Sequence, residues 1–306
     1  MLPFTMSQRP QVTGLPARDL PSEDTPPSRF RQFHSSIAIR TRVRSVVRSV
    51  RARSVQNERP SDRSSRNDRL TAPITVCCIY RTRNAAVVRH LLNRIGHHAD
   101  VRLWALDEVA PELEPLTVGS GPGGRPELLN ACAEARPIHP DSYLAVMDDD
   151  VLLLNGTVAD LIVESQRAGF NLSQPGHGWS SALSLKITRS RPGIRARRTG
   201  FVEIGPLFVI DPLWRDRLFP LGAGLGMGWA LQADFTALAV AGCEIGIIDR
   251  YRMIHLNKAS GAYDADDERI RMEHRFEELG LRWEDHDLLL YTEGQRWSRW
   301  QPTRPW

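Results

Sequence analysis

The sequence predicts an α/β fold with a mixed, mostly parallel sheet flanked by helices. From residue 73 onward, short apolar segments rich in β-branched residues alternate with longer segments whose apolar residues recur at helical spacing. This alternation is typical of parallel strands joined by crossover helices. The chain has 306 residues and is 41% hydrophobic and 25% charged, which is ordinary for a globular protein with a sizeable core.

The first half of this region contains three strand–helix pairs. The predicted strands are 73–80, 101–106 and 142–147, and the predicted helices are 85–95, 126–135 and 157–169. Gly169 is expected to end the third helix, because glycine readily adopts the left-handed conformation found at helix C-termini. The regular alternation predicts that the three strands are parallel neighbours in one sheet.

The second half is less regular. The predicted strands are 181–187, 200–210 and 244–256, and a helix is predicted from about Ala230 to Ala241. A basic loop, RSRPGIRARR, separates the first two strands, and a glycine-rich loop, LGAGLGMGW, precedes the helix.

Residues 1–72 differ from the rest of the chain and are predicted to be a disordered basic tail. They contain 14 arginines and 6 acidic residues, so their net charge of +8 leaves −4 for residues 73–306, which are predicted to form one domain. Within 36–55, apolar residues recur at helical spacing among arginines. This pattern favours either a basic amphipathic helix on an anionic membrane surface or an arginine-rich linker.

The expected location is cytoplasmic, with the inner face of the membrane as a further option through residues 36–55. The N-terminus lacks the basic-then-apolar order of a secretory signal, and no apolar stretch approaches the roughly 18 residues of a membrane span. The four cysteines show no metal-ligand spacing, which is typical of buried thiols in a reducing compartment.

Three consecutive carboxylates, Asp148, Asp149 and Asp150, follow the apolar strand SYLAVM. In an open α/β sheet, ligands bind outside the carboxyl ends of the strands. Adjacent carboxylates repel one another, and a divalent cation removes that conflict. The triplet therefore indicates a site for a metal–nucleotide complex; an acidic turn or a helix N-cap is the alternative.

Further segments accompany this triplet in a fixed order. They are GSGPGGRPELLNACAEA at 119–135, GMGWALQADF at 226–235 and RYRMIHL at 250–256. Together with the acidic strand end, they resemble the Asp-x-Asp motif and its companion segments in glycosyltransferases with the GT-A fold, in particular the family-2-like enzymes. The resemblance covers roughly residues 73–290.

The resemblance implies a GT-A-like glycosyltransferase, of the hexosyltransferase kind, that uses a nucleotide-sugar donor and either Mn²⁺ or Mg²⁺. Its metal ligands would be Asp148, Asp150 and His255. Asp149, or whichever aspartate faces away from the metal, would contact the donor ribose. Arg81, Arg83 and Asn84 would help to bind the nucleotide, and Arg125 has a similar role; an exposed basic turn is the alternative for residues 81–84.

The catalytic base implied by the resemblance is Asp234, with Glu203 as the second candidate. The family normally has an acidic pair near this base, whereas Gln232 and Ala233 precede Asp234 here. That departure leaves open both the base and whether the reaction inverts the anomeric carbon.

Two residues are candidates for acceptor binding, His177 in QPGHGWS and Trp229 in the glycine-rich loop. A purely structural role is the alternative for both. The acceptor, whether a sugar, a lipid or a protein, is not specified by the sequence.

Three other functions remain open at this stage. A nucleotidyl- or phosphoryl-transferase would use the same carboxylate–metal chemistry, although GSGPGGRPE lacks the Gly-Lys-Ser/Thr ending of a P-loop. The others are a catalytically silent sugar-nucleotide-binding protein and a nucleic-acid binder using the arginine-rich tail. No specific nucleic acid is expected, because residues 73–306 are net negative.

Overall fold

The computed structural model describes residues 70–96, 99–257 and 264–282. These residues form nine strands in one sheet and six α-helices. The strands are β1 Ile74–Tyr80, β2 Ala99–Ala105, β3 Thr117–Ser120, β4 Tyr143–Asp148, β5 Val151–Leu153, β6 Leu172–His177, β7 Arg197–Arg198, β8 Leu207–Ile210 and β9 Ile245–His255. The helices are α1 Ala85–Leu92, α2 Arg125–Glu134, α3 Val158–Ala168, α4 Pro212–Leu218, α5 Leu231–Val240 and α6 Ala265–Glu278.

The predicted N-terminal tail, with its helix at 36–55, lies outside the described residues apart from positions 70–72. Across the described ranges, no helix combines the length and the apolar character needed to cross a membrane.

The sheet has the strand order β3-β2-β1-β4-β8-β6-β9-β5, with β7 paired to β9. Parallel pairs join β1 to β2, β1 to β4, β2 to β3 and β6 to β9, whereas β8, β5 and β7 pair antiparallel to their neighbours. Strands β1, β2, β3, β4, β6 and β9 therefore run in one direction. The predicted mixed, mostly parallel α/β sheet is confirmed.

Strand β1 shows why the first half of the sequence is so apolar. Its side chains alternate between two buried cores: Val76 and Cys78 face one side, and Cys77 faces the other. The first core is covered by α1 and α3, and the second by α2, α4 and α5. A central strand with both faces covered reads as a continuous apolar run, as ITVCCIY does.

Helix α3 begins and ends as its sequence predicts. The Thr157 side chain accepts a hydrogen bond from the Asp160 N–H, and the Asp160 carboxylate in turn accepts from the Thr157 N–H, which satisfies the free donors of the first turn. Gly169 ends the helix with a φ of 71°, a left-handed conformation that glycine adopts without steric cost.

The second half departs from the sequence prediction. Residues 181–187 were expected to form a strand, but they are irregular, with one bend at Ser184, and lead into a 3₁₀ turn at Lys186–Thr188. Their backbone groups bond elsewhere: the Ala182 N–H donates to His255 O, and the Ser184 N–H donates to the Glu203 carboxylate. The predicted strand 200–210 is reduced to β8.

The topology brings the carboxyl ends of several strands to one edge of the sheet. Strands β1, β4, β6 and β9 run in the same direction, so their carboxyl ends lie at the same edge. At this edge, Ile79 of β1 pairs with Asp148 of β4, and His177 of β6 pairs with Met253 of β9. This is the edge at which open α/β sheets bind ligands.

Candidate metal and donor-binding site

Asp148, Asp150 and His255 come together at this edge of the sheet. Each offers one ligand atom, and these atoms all lie within 4.8 Å of one another. Asp150 Oδ1 is 3.2 Å from His255 Nε2. Two carboxylates and an imidazole form a suitable donor set for a divalent cation. The three residues that the sequence nominated as metal ligands are therefore neighbours in space.

A short antiparallel pair explains how residues more than 100 positions apart meet. After β4 the chain turns at Asp149 and Asp150 and enters β5, whose first residue, Val151, pairs with His255 at the end of β9. The Leu256 N–H donates to Asp150 O at 2.9 Å and fixes the turn against the end of β9.

Asp150 and His255 stabilise each other's charged forms. Burial opposes ionisation of Asp150, but the hydrogen bond and charge of His255, with a hydrogen bond from Asn257, outweigh it and hold the pKa of this carboxyl below its ordinary value. Burial alone would lower the pKa of His255, yet the hydrogen bond and charge of Asp150 raise it above its ordinary value. The two shifts favour an ionised Asp150 beside a protonated His255, which is an ion pair between the two side chains.

Asp149 faces away from this cluster. Its Oδ2 accepts the Arg81 N–H at 2.8 Å, and the Asn84 side chain also donates to it. Burial is the largest influence and raises the pKa of Asp149 above its ordinary value, although these two hydrogen bonds oppose the shift. The carboxylate therefore ties the turn after β1 to the turn after β4. Arg83, in the same turn, is exposed.

Arg125, the first residue of α2, forms a two-nitrogen contact with Asp148. Its Nη2 and Nε lie 2.8 and 3.2 Å from Asp148 Oδ1. Its remaining nitrogen, Nη1, is buried and has no hydrogen-bond partner within the described residues. This nitrogen is therefore a donor that could bind a phosphate oxygen beside the carboxylate cluster.

Two glycines let the chain approach this pair closely. A Cβ at Gly205 would lie 2.6 Å from Asp148 Oδ2, too close for the carboxylate to stay where it is. Gly228 has a φ of 106°, and a Cβ there would lie 3.5 Å from Arg125 Nη1. The glycine-rich loop therefore borders the unsatisfied nitrogen.

The predicted base, Asp234, forms an ion pair with Arg275. Arg275 Nη2 and Nε lie 2.7 and 3.3 Å from the two Asp234 oxygens, and this pair joins α5 to α6. The hydrogen bond to Asp234, helped by a second one to Glu278 and by the charges of both carboxylates, raises the pKa of Arg275 above its ordinary value. The role of Asp234 as the catalytic base stays a prediction. Both of its carboxylate oxygens, which would have to accept the proton, already accept hydrogen bonds from Arg275.

Glu203, the second base candidate, is almost fully buried. Its Oε1 accepts from Ser184 N–H and Thr188 Oγ1, both at 2.9 Å, and lies 3.4 Å from His177 Nε2. Burial opposes ionisation, but His177 and these hydrogen bonds outweigh it and lower the pKa of Glu203. A buried, multiply bonded carboxylate with a lowered pKa is a weak proton acceptor.

The two acceptor candidates differ in exposure. His177 is completely buried, so direct contact between its side chain and an acceptor would require the surrounding loop to move. Trp229 is half-buried in the glycine-rich loop, whose Met227 N–H donates to Glu268 of α6 at 2.9 Å. Trp179, in the loop that follows His177, is 76% exposed, with Arg189 5.4 Å from its ring centre.

Sequence reasoning missed Asn257 and Ser181. Asn257 donates to Asp150 Oδ2 at 2.8 Å, and the Ser181 hydroxyl accepts the main-chain N–H of His255 at 2.8 Å. Asn257 could have been predicted as a neighbour of the cluster, because it is a polar residue only two positions after His255. The position of Ser181 depends on the path of the loop after β6 and has no signal in the local sequence.

Known proteins resemble this chain in structure only. No protein-family model matches the chain, and no curated protein matches it in sequence. Among solved structures, GalNAc-T7 with UDP, GalNAc and Mn²⁺ matches with a TM-score of 0.47 and 11% identity, over 71% of this chain and 49% of that protein. This chain therefore matches about half the length of GalNAc-T7.

The TarS protein of S. aureus, residues 1–349, gives a similar result. Its complex with UDP matches with a TM-score of 0.49 and 10% identity, over 71% of this chain and 69% of that one. Its complex with UDP-GlcNAc matches with a TM-score of 0.48, 10% identity and coverages of 71% and 70%. These crystal structures contain UDP, UDP-GlcNAc, or UDP with GalNAc and Mn²⁺, and their likeness to this chain is distant.

Proposed function

We propose that this protein is a metal-dependent glycosyltransferase that moves a sugar from a nucleotide-diphosphate donor to an acceptor. The observation that carries the proposal is the meeting of Asp148, Asp150 and His255 at the carboxyl edge of the sheet. The buried, unpartnered Nη1 of Arg125 beside this cluster supports it. The first group of residues suits a divalent cation, and the guanidinium nitrogen suits a phosphate oxygen.

Asp148, Asp150 and His255 would hold the cation. The mixture of two carboxylates and one imidazole suits Mn²⁺ better than Mg²⁺, which prefers oxygen ligands alone. When bound, the ion supplies Lewis-acid stabilisation of the departing nucleoside diphosphate.

The remaining donor contacts come from the side chains around the cluster. Arg125 Nη1 offers a charge-assisted hydrogen bond to a phosphate oxygen. Arg81 and Asn84, in the turn fixed by Asp149, would contact the nucleoside, and Arg83 adds positive charge at the rim. Asp234 is retained as the candidate base for the acceptor hydroxyl, and Trp229 as a candidate acceptor contact.

We also propose a cytoplasmic location. Cys77, Cys78, Cys132 and Cys243 are all unpaired and buried. Unpaired buried thiols are typical of proteins in a reducing compartment.

The experiment that tests the proposal is a product analysis with UDP-, GDP- and dTDP-sugars in the presence of Mn²⁺ or EDTA. Slow donor hydrolysis without an added acceptor is expected to release the nucleoside diphosphate, and EDTA should stop it. Release of a nucleoside monophosphate together with sugar 1-phosphate would instead show cleavage between the two phosphates, which indicates nucleotidyl or phosphoryl transfer. Absence of any metal-dependent cleavage across the panel would contradict the proposed function.

A further inference from the structure

A chain of buried polar side chains runs from Glu203 to the backbone of the proposed metal ligand His255. Glu203 Oε1 lies 3.4 Å from His177 Nε2, and His177 Nδ1 lies 2.7 Å from Ser181 Oγ. Ser181 Oγ accepts the main-chain N–H of His255 at 2.8 Å. Glu203, His177 and Ser181 are each less than a tenth exposed.

The number of hydrogen bonds that the Ser181 hydroxyl can make limits how these polar side chains are connected. A serine hydroxyl has one proton to donate and two lone pairs that accept. One lone pair receives the His255 N–H, which leaves the proton for His177 Nδ1 or for Ala182 O at 2.9 Å. Donation to Nδ1 places the ring proton on Nε2, where it points toward Glu203.

The contact between His177 and Glu203 is mainly electrostatic. A separation of 3.4 Å exceeds that of a good hydrogen bond, and Nε2 has no hydrogen-bond partner of good geometry among the described residues. Glu203 is itself fixed by Ser184 N–H and Thr188 Oγ1. The carboxylate is therefore a rigid buried charge against which the imidazole is oriented.

The loop after β6, which contains Ser181, is hydrogen-bonded to the end of β9 at two further points. The Gly178 N–H donates to Met253 O at 2.8 Å, and the Ala182 N–H donates to His255 O at 3.0 Å. The main chain of His255 is thus bonded on both its N–H and its carbonyl side to residues 181 and 182. The backbone from which the imidazole extends toward Asp150 is therefore bonded to a loop distant in sequence.

We propose that Ser181, His177 and Glu203 act as positioning residues that hold His255 in the orientation required for metal binding. The inference rests on the proposed metal site and reassigns His177 and Glu203, which the sequence nominated for acceptor binding and catalysis. Residues that orient metal ligands typically change metal affinity by about 10- to 100-fold when they are removed.

The test measures Mn²⁺ binding to the full chain without nucleotide, by calorimetry and by the electron paramagnetic resonance of free Mn²⁺. Ser181→Ala removes the acceptor of the His255 N–H and is expected to weaken Mn²⁺ binding by about tenfold. Ser181→Thr keeps the hydroxyl and is expected to restore most of the affinity. Glu203→Gln, which removes the charge at similar volume, is expected to weaken binding several-fold.

Ser165→Ala is the matched control. Ser165 is a buried serine in α3, away from the metal cluster. Its hydroxyl donates to Leu161 O and lies next to the hydroxyl of Ser173 in β6. Its substitution is expected to change thermal stability but to leave Mn²⁺ affinity at the wild-type value. If it weakened Mn²⁺ binding as much as Ser181→Ala does, general loosening of the fold would be the cause and the inference would be wrong.

The remaining outcomes separate this inference from the proposed function. If wild type and Ser181→Ala bind Mn²⁺ equally well while His255→Ala does not bind it, the metal site stands and the positioning role is overturned. If wild type binds no Mn²⁺, both ideas are overturned. If Ser181→Ala does not fold, Glu203→Gln decides: wild-type affinity in that variant overturns the positioning role, and weakened affinity supports it.

Discussion

His255 Nε2 lies 3.2 Å from Asp150 Oδ1, and this contact joins the end of β9 to the turn that follows β4. The two residues are far apart in the sequence, but β5 brings them together by pairing with the end of β9. With Asp148 they place three potential ligand atoms within 4.8 Å of one another at the carboxyl edge of the sheet, where open α/β sheets bind ligands.

Asp150→Asn is expected to abolish the dependence of UDP binding on Mn²⁺. The amide keeps the size of the side chain but loses the negative charge that the cation requires, so UDP affinity in Mn²⁺ should fall by more than about tenfold. Calorimetric titration with UDP, with and without Mn²⁺, measures the effect. Asp266→Asn, at a side chain that is 87% exposed, is the control and should behave as wild type. Wild-type UDP affinity in Asp150→Asn would remove Asp150 from the site.

Arg125→Gln is expected to separate nucleotide binding from metal binding. Loss of a charge-assisted hydrogen bond to phosphate should weaken UDP binding in Mn²⁺ by about tenfold or more. Mn²⁺ alone should bind no more weakly than to wild type, because a positive group beside Asp148 has been removed. Arg269→Gln, in an exposed ion pair with Glu273, is the control. A parallel loss of Mn²⁺ and UDP affinity would show that Arg125 only supports the fold.

Glu203→Gln is expected to destabilise the fold in a pH-dependent way. The folded pKa of Glu203 is lowered, so its ionised form contributes stability above its ordinary pKa of 4.5, and this contribution is lost as the pH falls through the lower folded value. At about pH 7 the variant should lose about 1–3 kcal/mol of the free energy of unfolding. Urea unfolding of both proteins from about pH 7 to about pH 3.5 measures the difference.

The difference between wild type and Glu203→Gln should narrow across the acidic end of this range. A gap of constant size, or one that widens as the pH falls, would contradict ionisation of Glu203 in the folded protein.

Asp234→Asn is expected to suppress sugar transfer while leaving UDP affinity unchanged, if Asp234 accepts the acceptor proton. The control is Arg275→Gln, which removes the ion-pair partner and leaves the carboxylate free. Both variants lose the link between α5 and α6, so both should lose similar stability. Only Asp234→Asn should lose turnover; equal loss of turnover in the two variants would show that the ion pair is structural and that Asp234 is not the base.

The fold was predictable where each element carries its own signal. Strands β1, β2 and β4 and helices α1, α2 and α3 lie within a few residues of their predicted limits, because buried parallel strands and amphipathic helices leave strong periodic patterns. Strand β6, LSQPGH, was missed because Pro175 and Gly176 are typical turn residues, and only pairing with β8 and β9 makes it a strand.

Other elements were missed for related reasons. Strands β3 and β5 are only four and three residues long, too short to show periodicity. Helix α4 did carry a sequence signal, because Asp211 caps it and Pro212 is its first residue. This signal was overlooked because it directly follows the strand predicted at 200–210.

The candidate site was predictable in its carboxylates and its imidazole, and not in what surrounds them. A strand-end acidic triplet and a late histidine can be read from the sequence, and their meeting follows from the α/β topology. The ion pair between Arg275 and Asp234 and the contact between Ser181 and His255 depend on how loops and a distant helix pack. Burial of His177 was likewise invisible, because its segment reads as an exposed turn.

The most direct test of the central claim is an anomalous-scattering map from crystals of the protein soaked with Mn²⁺ and UDP. The account predicts one manganese peak in contact with Asp148, Asp150 and His255, and the diphosphate of UDP between that peak and Arg125. A manganese peak elsewhere with these three side chains unliganded, or UDP bound at a distance from them, would contradict it.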